Sequence, residues 1–594
     1  MILNFVVALS GCGGQGILGG LFGADEDPSK PCVSEAAQHV PFVLTGRVQY
    51  ERAPAVKSGT SSGRINYSAE ETKPARRVIV QAVDNCGNAV AESRTDDGGN
   101  YSLSVAGYDV KVRALAALKE DSYERQGSEA CNGAAWNVSV LDNTQGQAQY
   151  AHDSVSSYVA TASGVNLTAS LTHVSGKYTS RAAAPFALID TVLNGIEKVC
   201  QGSPAAQFPL LYVNWSANNV AISGERSLGE IITSHFTIEQ GVRSIYILGK
   251  EGADTDELDD HVVAHEFGHY VEDSFYRADS IGGSHALGDE LEPTVAFGEG
   301  FGNAFSAIAS VASTDLVKAT YVDTSGSSQA SGFSFSVDTA PSGNDRGIYS
   351  EISAQHFLWR LYANGGQNFL KIHQALEDGQ RLTPALTTLQ SFASYYRNLN
   401  GSSSESLQTL WGTTLGGNID SLCVGTCANG AGGTADPFDQ DGDLGLAYEA
   451  SRNYGVSPVS YLRDFWNPYR ALNSGTNAAT DHDMTSKGGY DYADNKFGMN
   501  RWYRYTHAGA PATVRITVQS LYEWSTESES IVALSCSARD SLDMYIYRVG
   551  DFVAVDDGSG GCPQKSFTAQ QNQTYVIVIQ GYEGEVSKYD IVIQ

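Results

Sequence analysis

The chain has 594 residues, too many for one hydrophobic core, and its composition, 42% hydrophobic and 18% charged, excludes wholesale disorder. With 38 basic against 67 acidic side chains the formal net charge is −29, which excludes a phosphate-backbone partner such as nucleic acid and suits a solvated extracellular surface. Three or four domains are expected, giving a multidomain α+β protein.

Residues 1–12 are a short apolar run ending in Leu9-Ser10-Gly11-Cys12. The phrase resembles a bacterial lipobox, in which small residues precede a cysteine that is lipidated. That resemblance implies a truncated lipoprotein signal, a membrane partner reached through a lipid on Cys12, and an extracytoplasmic location, at the bacterial surface or outer membrane or in secreted form. Residues 13–39, glycine-rich and then acidic, read as a tether. Of nine cysteines, setting Cys12 aside leaves eight, which permits four disulfides in an oxidising compartment. Cys423 with Cys427 and Cys536 with Cys562 are local pairs, whereas Cys32, Cys86, Cys131 and Cys200 allow three pairings.

Residues 40–116 alternate in strand fashion over Val43–Val48, Arg77–Val83 and Tyr101–Val105, which predicts a small β-sandwich. The turn Thr95-Asp96-Asp97-Gly98-Gly99-Asn100-Tyr101 and the strand that follows resemble the transthyretin-like or carboxypeptidase-regulatory type of accessory domain.

From 117 to 180 the signals are weak. Phe186, Leu188, Ile189, Val192, Leu193 and Ile196 then recur at helical spacing, and Leu210–Val213 and Arg243–Gly249 read as strands. Next comes Asp259-Asp260-His261-Val262-Val263-Ala264-His265-Glu266-Phe267-Gly268-His269, an H-E-x-x-H segment. Its i, i+4 spacing puts His265 and His269 on one helical face, where two imidazole nitrogens can hold one zinc ion; Glu266, on the neighbouring flank, is free to take a proton from the attacking water. Val262, Val263 and Phe267 give that helix a buried side, and Asp254, Thr255, Asp256 and Glu257 are expected to cap its start.

A catalytic zinc needs a third protein ligand. A second helix opened by Pro293 carries Glu299-Gly300-Phe301, and here the sequence resembles the gluzincin metallopeptidases, where a glutamate on a following helix completes the site. The resemblance implies a zincin-like catalytic domain over 117–425, with its core at 185–420, and Glu299 as third ligand beside His265 and His269; Glu290, Glu292 and His285 are the competitors. It also implies a strand before the zinc helix, 243–249, as the cleft edge that pairs with substrate, and a tyrosine or histidine that stabilises the oxyanion, Tyr349 first and His356 second. Four residues after Glu299, where many gluzincins have aspartate, stands Asn303, so an amide, Asp273 or another carboxylate must orient the histidines.

Residues 426–494 read as a connecting region in which Asp439, Asp441 and Asp443 form either a calcium loop or an acidic solvated turn, the EF-hand offsets not being met. Residues 495–594 carry well-patterned strands at 514–518, 542–547 and 575–579 and resemble the pre-peptidase C-terminal β-sandwich; Asp543, Asp556 and Asp557 there read as turn builders before calcium ligands. The whole is read as a zinc-dependent hydrolase of protein or peptide substrates, an endopeptidase in preference to an exopeptidase, with Glu266 as general base. The alternative is a surface adhesion or glycan-binding protein around an inactive core.

Overall fold

The computed structural model describes residues 40–415 with short gaps, together with Asn495 and the strands between 470 and 594. The lipobox and tether, the Cys423–Cys427 pair and the acidic turn at Asp439, Asp441 and Asp443 lie outside the described residues.

Two four-stranded sheets come first. In one, Phe42–Arg52 pairs antiparallel with Asn100–Val105 and Glu71–Pro74 and parallel with Leu167–Ala169. In the other, Lys111–Leu115 lies between Ala151–Asp153 and Ile79–Val83, and Ala89–Arg94 forms the far edge. Alternation is clean: Tyr101, Leu103 and Val105 are buried, and the residues between them are exposed. The turn before them closes because the Asp96 carboxylate accepts from the Gly98 and Asn100 amides, both at 2.8 Å. A limit at 116 is too early for this unit, since Ala151–Asp153 and Leu167–Ala169 complete its two sheets. Strands of three residues are too short to show a period, which hides them in the sequence.

A mixed sheet follows, in the order Ala148–Gln149, Trp136–Asp142, Leu211–Trp215, Val242–Ile247, His235–Glu239. Trp136–Asp142, Leu211–Trp215 and Val242–Ile247 run parallel, the first pair joined through helix α1 (Ala184–Gly202). The core of this unit therefore starts before 185. A Cys131–Cys200 disulfide ties the approach to Trp136–Asp142 to the end of α1, one of the three pairings left open above, and Cys86 and Cys562 are disulfide-bonded as well.

Beside the sheet pack α2 (Asp260–Phe275), α3 (Pro293–Ala309) and α4 (Glu351–Asn364). Phe297, Phe301 and Phe305, one turn apart on α3, stack on one another inside the core. Glycine sets how closely the helices approach: a Cβ on Gly195 of α1 would stand 2.4 Å from the Phe267 ring of α2, and one on Gly268 of α2 only 3.2 Å from the Gly302 Cα of α3.

At the carboxyl end, two five-stranded sheets enclose a separate core, Met544, Ile577 and Ile579 from one and Ile516, Val518 and Ile591 from the other. Strands Arg470–Leu472 and Gly475–Asp483 belong to these sheets, so the unit begins well before 495. Asp543 is buried within strand Leu542–Arg548, not at a turn.

Candidate metal centre

The first turn of α2 is fixed from outside the helix. A 3-10 turn, Asp256–Leu258, leads into it, and Asp259 stands at the N-cap without capping; its carboxylate accepts instead from the Thr324 amide at 2.6 Å and hydroxyl at 2.9 Å. Glu257 accepts from Arg181 at 2.9 Å, and Asp260 is paired with Arg52. The run 254–257 expected to cap the helix therefore serves other partners.

From this start, His265 and His269 fall on the face of α2 that meets α3, which Pro293 opens and whose N-cap Glu292 accepts from the Thr294 amide at 2.8 Å. That leaves Glu292 structural and brings Glu299, about two turns further on, to the two imidazoles. His265 Nε2 is 3.1 Å from Glu299 Oε2 and 3.0 Å from His269 Nε2, and His269 Nε2 is 3.4 Å from the same oxygen. Ligands of a tetrahedral zinc at bond lengths of about 2.0–2.1 Å lie about 3.3 Å apart. The donor set and its spacing thus fit zinc.

Each of the two imidazoles has a second group at its other nitrogen. Asn303, one turn after Glu299, has its Oδ1 3.0 Å from His265 Nδ1, and its Nδ2 donates to Glu351 Oε2 of α4 at 3.2 Å. An amide can do both at once, because it carries an acceptor and a donor. Glu272, one turn after His269, lies 3.9 Å from His269 Nδ1. Asp273, the other candidate for this task, turns away and binds Arg243 at 2.5 Å.

Electrostatics match this arrangement. Burial works to lower the His269 pKa, but the Glu299 carboxylate overrides it and holds the ring well above its ordinary value, with Glu272 adding. Conversely, burial would raise Glu299, and His269 with the other rings holds it well below the carboxylate range. Burial pushes Glu351 up to about 7. A carboxylate that three rings keep ionised is one that a cation can replace protons to bind.

Glu266 sits beside the donors, and its Oε2 accepts from the Phe236 amide at 2.7 Å. Phe236 lies on His235–Glu239, which is the edge of the mixed sheet among the described residues; Val242–Ile247, the strand expected there, is internal. His285, on the glycine-rich loop between α2 and α3, places Nε2 3.3 Å from Glu299 Oε2. It is not among the mutually adjacent donors, but it and His269 keep 27% and 18% side-chain exposure, so solvent reaches the cluster at these rings.

The two oxyanion candidates are placed elsewhere. Tyr349 is 1% exposed, and its hydroxyl donates to the Arg346 carbonyl oxygen at 3.3 Å. His356 Nδ1 lies 2.9 Å from Thr414 Oγ1, in a pocket lined also by Arg360, Asn364 and Leu410. These contacts do not link either residue to the three donors. Glu272 and Phe236 went unrecognised in the sequence; the i, i+3 step from His269 signals the first, and nothing local signals the second.

Fold and site together define a multidomain α+β chain with a buried set of two imidazoles and one carboxylate. No family model and no curated protein matches the chain. Among solved structures, the pre-peptidase C-terminal domain of collagenase from Bacillus anthracis is similar at 14% identity and a TM-score of 0.15, over 21% of this chain and 97% of that domain. PliG, a periplasmic inhibitor of g-type lysozyme from Aeromonas hydrophila, is similar at 11% identity and a TM-score of 0.13, over 21% and 94%. Neither likeness bears on what His265, His269 and Glu299 do.

Proposed function

We propose that this chain is a zinc-dependent peptidase, acting as an endopeptidase outside the cytoplasm, secreted or held at a membrane by a lipid on Cys12. The observation that carries the reading is the donor triangle of His265, His269 and Glu299, with sides of 3.0, 3.1 and 3.4 Å, and Glu266 next to it. Those three residues would hold the zinc, which when bound supplies Lewis acidity to the scissile carbonyl and to water.

The chain's own groups account for the rest. Glu266, its Oε2 held by the Phe236 amide, takes the proton of the attacking water and delivers it to the departing amine. The edge strand His235–Glu239, without a further strand partner among the described residues, offers its backbone groups other than the Phe236 amide to an extended peptide, which orients the scissile bond across Glu266. His285, next to Glu299 and partly exposed, supplies the donor to the carbonyl oxygen for which Tyr349 and His356 were the sequence candidates. An open edge accepts a chain that continues in both directions, which favours internal cleavage.

Digestion of casein or a peptide library by the full chain tests this, with and without a chelator and beside Glu266→Gln. Cleavage that is lost in the variant and in chelator, and restored by one equivalent of zinc, is the expected result. Equal cleavage in all arms, or none by the zinc-loaded wild type, sinks the peptidase and returns the adhesion reading.

A further inference from the structure

A second group of acidic residues lies at the start of α2. Asp254 and Asp256 come from the turn that precedes the helix, and Asp323 comes from strand Thr320–Ser325 of a hairpin. One carboxylate oxygen from each lies within 4.8 Å of the others. Asp254 bridges to Ser325, and Asp259, whose carboxylate is taken up by Thr324, adds a fourth negative charge.

Charge in this neighbourhood is unevenly met. Arg181 takes Glu257 and Arg52 takes Asp260, while none of the ion pairs among the described residues includes Asp254, Asp256, Asp259 or Asp323. Asp256 is 3% exposed; its Oδ2 accepts from Ser234 at 2.5 Å, and its Oδ1 has no hydrogen-bond partner. A buried carboxylate oxygen with neither donor nor cation is strongly disfavoured unless something positive binds it. Burial, followed by Asp254, Asp323 and Asp259, pushes the Asp256 pKa well up, and burial followed by Asp254 raises Asp323 to about 7. The geometry thus asks for a proton or a metal at neutral pH.

We propose that Asp254, Asp256 and Asp323 form a calcium site that pins the Thr320–Ser325 strand to the entry of the H-E-x-x-H helix. All three donors are hard carboxylate oxygens, which excludes a soft-metal site and suits calcium. Calcium–oxygen bonds of about 2.3–2.6 Å place opposite donors about 4.6–5.2 Å apart, so these three can share one ion. The ion would neutralise charge that protons otherwise must, and would fix the strand whose Tyr321 ring lies edge-on to His265, 6.2 Å between centroids. The site does not depend on the peptidase reading.

The test uses the full chain, stripped of metal and reloaded with one equivalent of zinc, with calcium chloride as probe. At a concentration about a hundredfold above its dissociation constant, calcium should raise the unfolding midpoint by roughly 5–10 °C. Asp256→Asn and Asp323→Asn should each abolish that shift, keep their zinc, and unfold no earlier than wild type in calcium-free buffer. A wild type indifferent to calcium, or a shift that survives in both variants, overturns the site. Terbium at this position should luminesce on tyrosine excitation, lose most of the emission in Tyr321→Phe, and be displaced by calcium; emission unchanged in that variant overturns the site even if the aspartate variants fail to fold.

Discussion

Gly302 separates the donor triangle from a generic pair of packed helices. A Cβ there would stand 2.8 Å from His265 Cε1 and 2.9 Å from both ring nitrogens, flat on the imidazole face. Ordinary contact begins near 3.4 Å, so in Gly302→Ala the ring must retreat by about 0.6 Å. It cannot swing freely, because Asn303 holds Nδ1 on one side and Glu299 lies at Nε2 on the other. Strain passes to the ligand geometry, and zinc affinity should fall by about 10–100-fold, or about 1.4–2.7 kcal/mol. Competition against a chromogenic chelator measures this, with Gly298→Ala as control: its Cβ would meet Glu272 and Ser280 at 3.4 Å, an ordinary contact on the same helix. If Gly302→Ala binds zinc within twofold of wild type, the ring does not sit where a metal ligand must, and the site as described is refuted.

Two further outcomes follow from groups near and far from the metal. Asn303→Ala removes the acceptor at His265 Nδ1 and leaves Glu351 without its amide donor, so zinc should bind about 10–100-fold more weakly, whereas Asn303→Asp keeps the acceptor and should lose less; equal affinities across the three proteins would show that another group holds His265. Burial, with Arg360 adding, pushes the His356 pKa down to about 4 from 6.5, so the unfolded chain takes up the proton first as pH falls; the contribution of His356 to stability should decline from about pH 6.5 to about pH 4 by at most about 3 kcal/mol. His356→Gln should flatten that decline in urea unfolding, and an identical pH profile would remove His356 as its source.

The parts of the site that are local in sequence were legible there. His265, Glu266 and His269 are one turn of one helix, and Asn303 follows Glu299 by another turn, so helical geometry alone links them. Oxyanion partners are not local. With 31 tyrosines in the chain, choosing Tyr349 meant choosing a loop conformation that no spacing encodes. The edge strand failed for a more instructive reason: Ser244, Ile245, Tyr246 and Ile247 are all buried, the mark of an internal strand, whereas the half-exposed His235–Glu239 is the real border. A strong apolar run argues against an edge. The acidic residues before α2 were visible as a charged run, but Asp323, which turns two of them into a cluster, arrives from a distant hairpin.

Asn495 has a bearing on how this chain can be divided. Its side-chain amide donates to the Ser284 carbonyl oxygen at 3.1 Å, and its own carbonyl accepts from the Glu292 amide at 2.8 Å, gripping the loop that presents His285 both beside that residue and at its far end. A fragment that stops where the helices stop would release that loop. The late segment is a stay for the candidate metal-binding face, and a piece meant to keep that loop in place includes residue 495 and the sheets on either side of it.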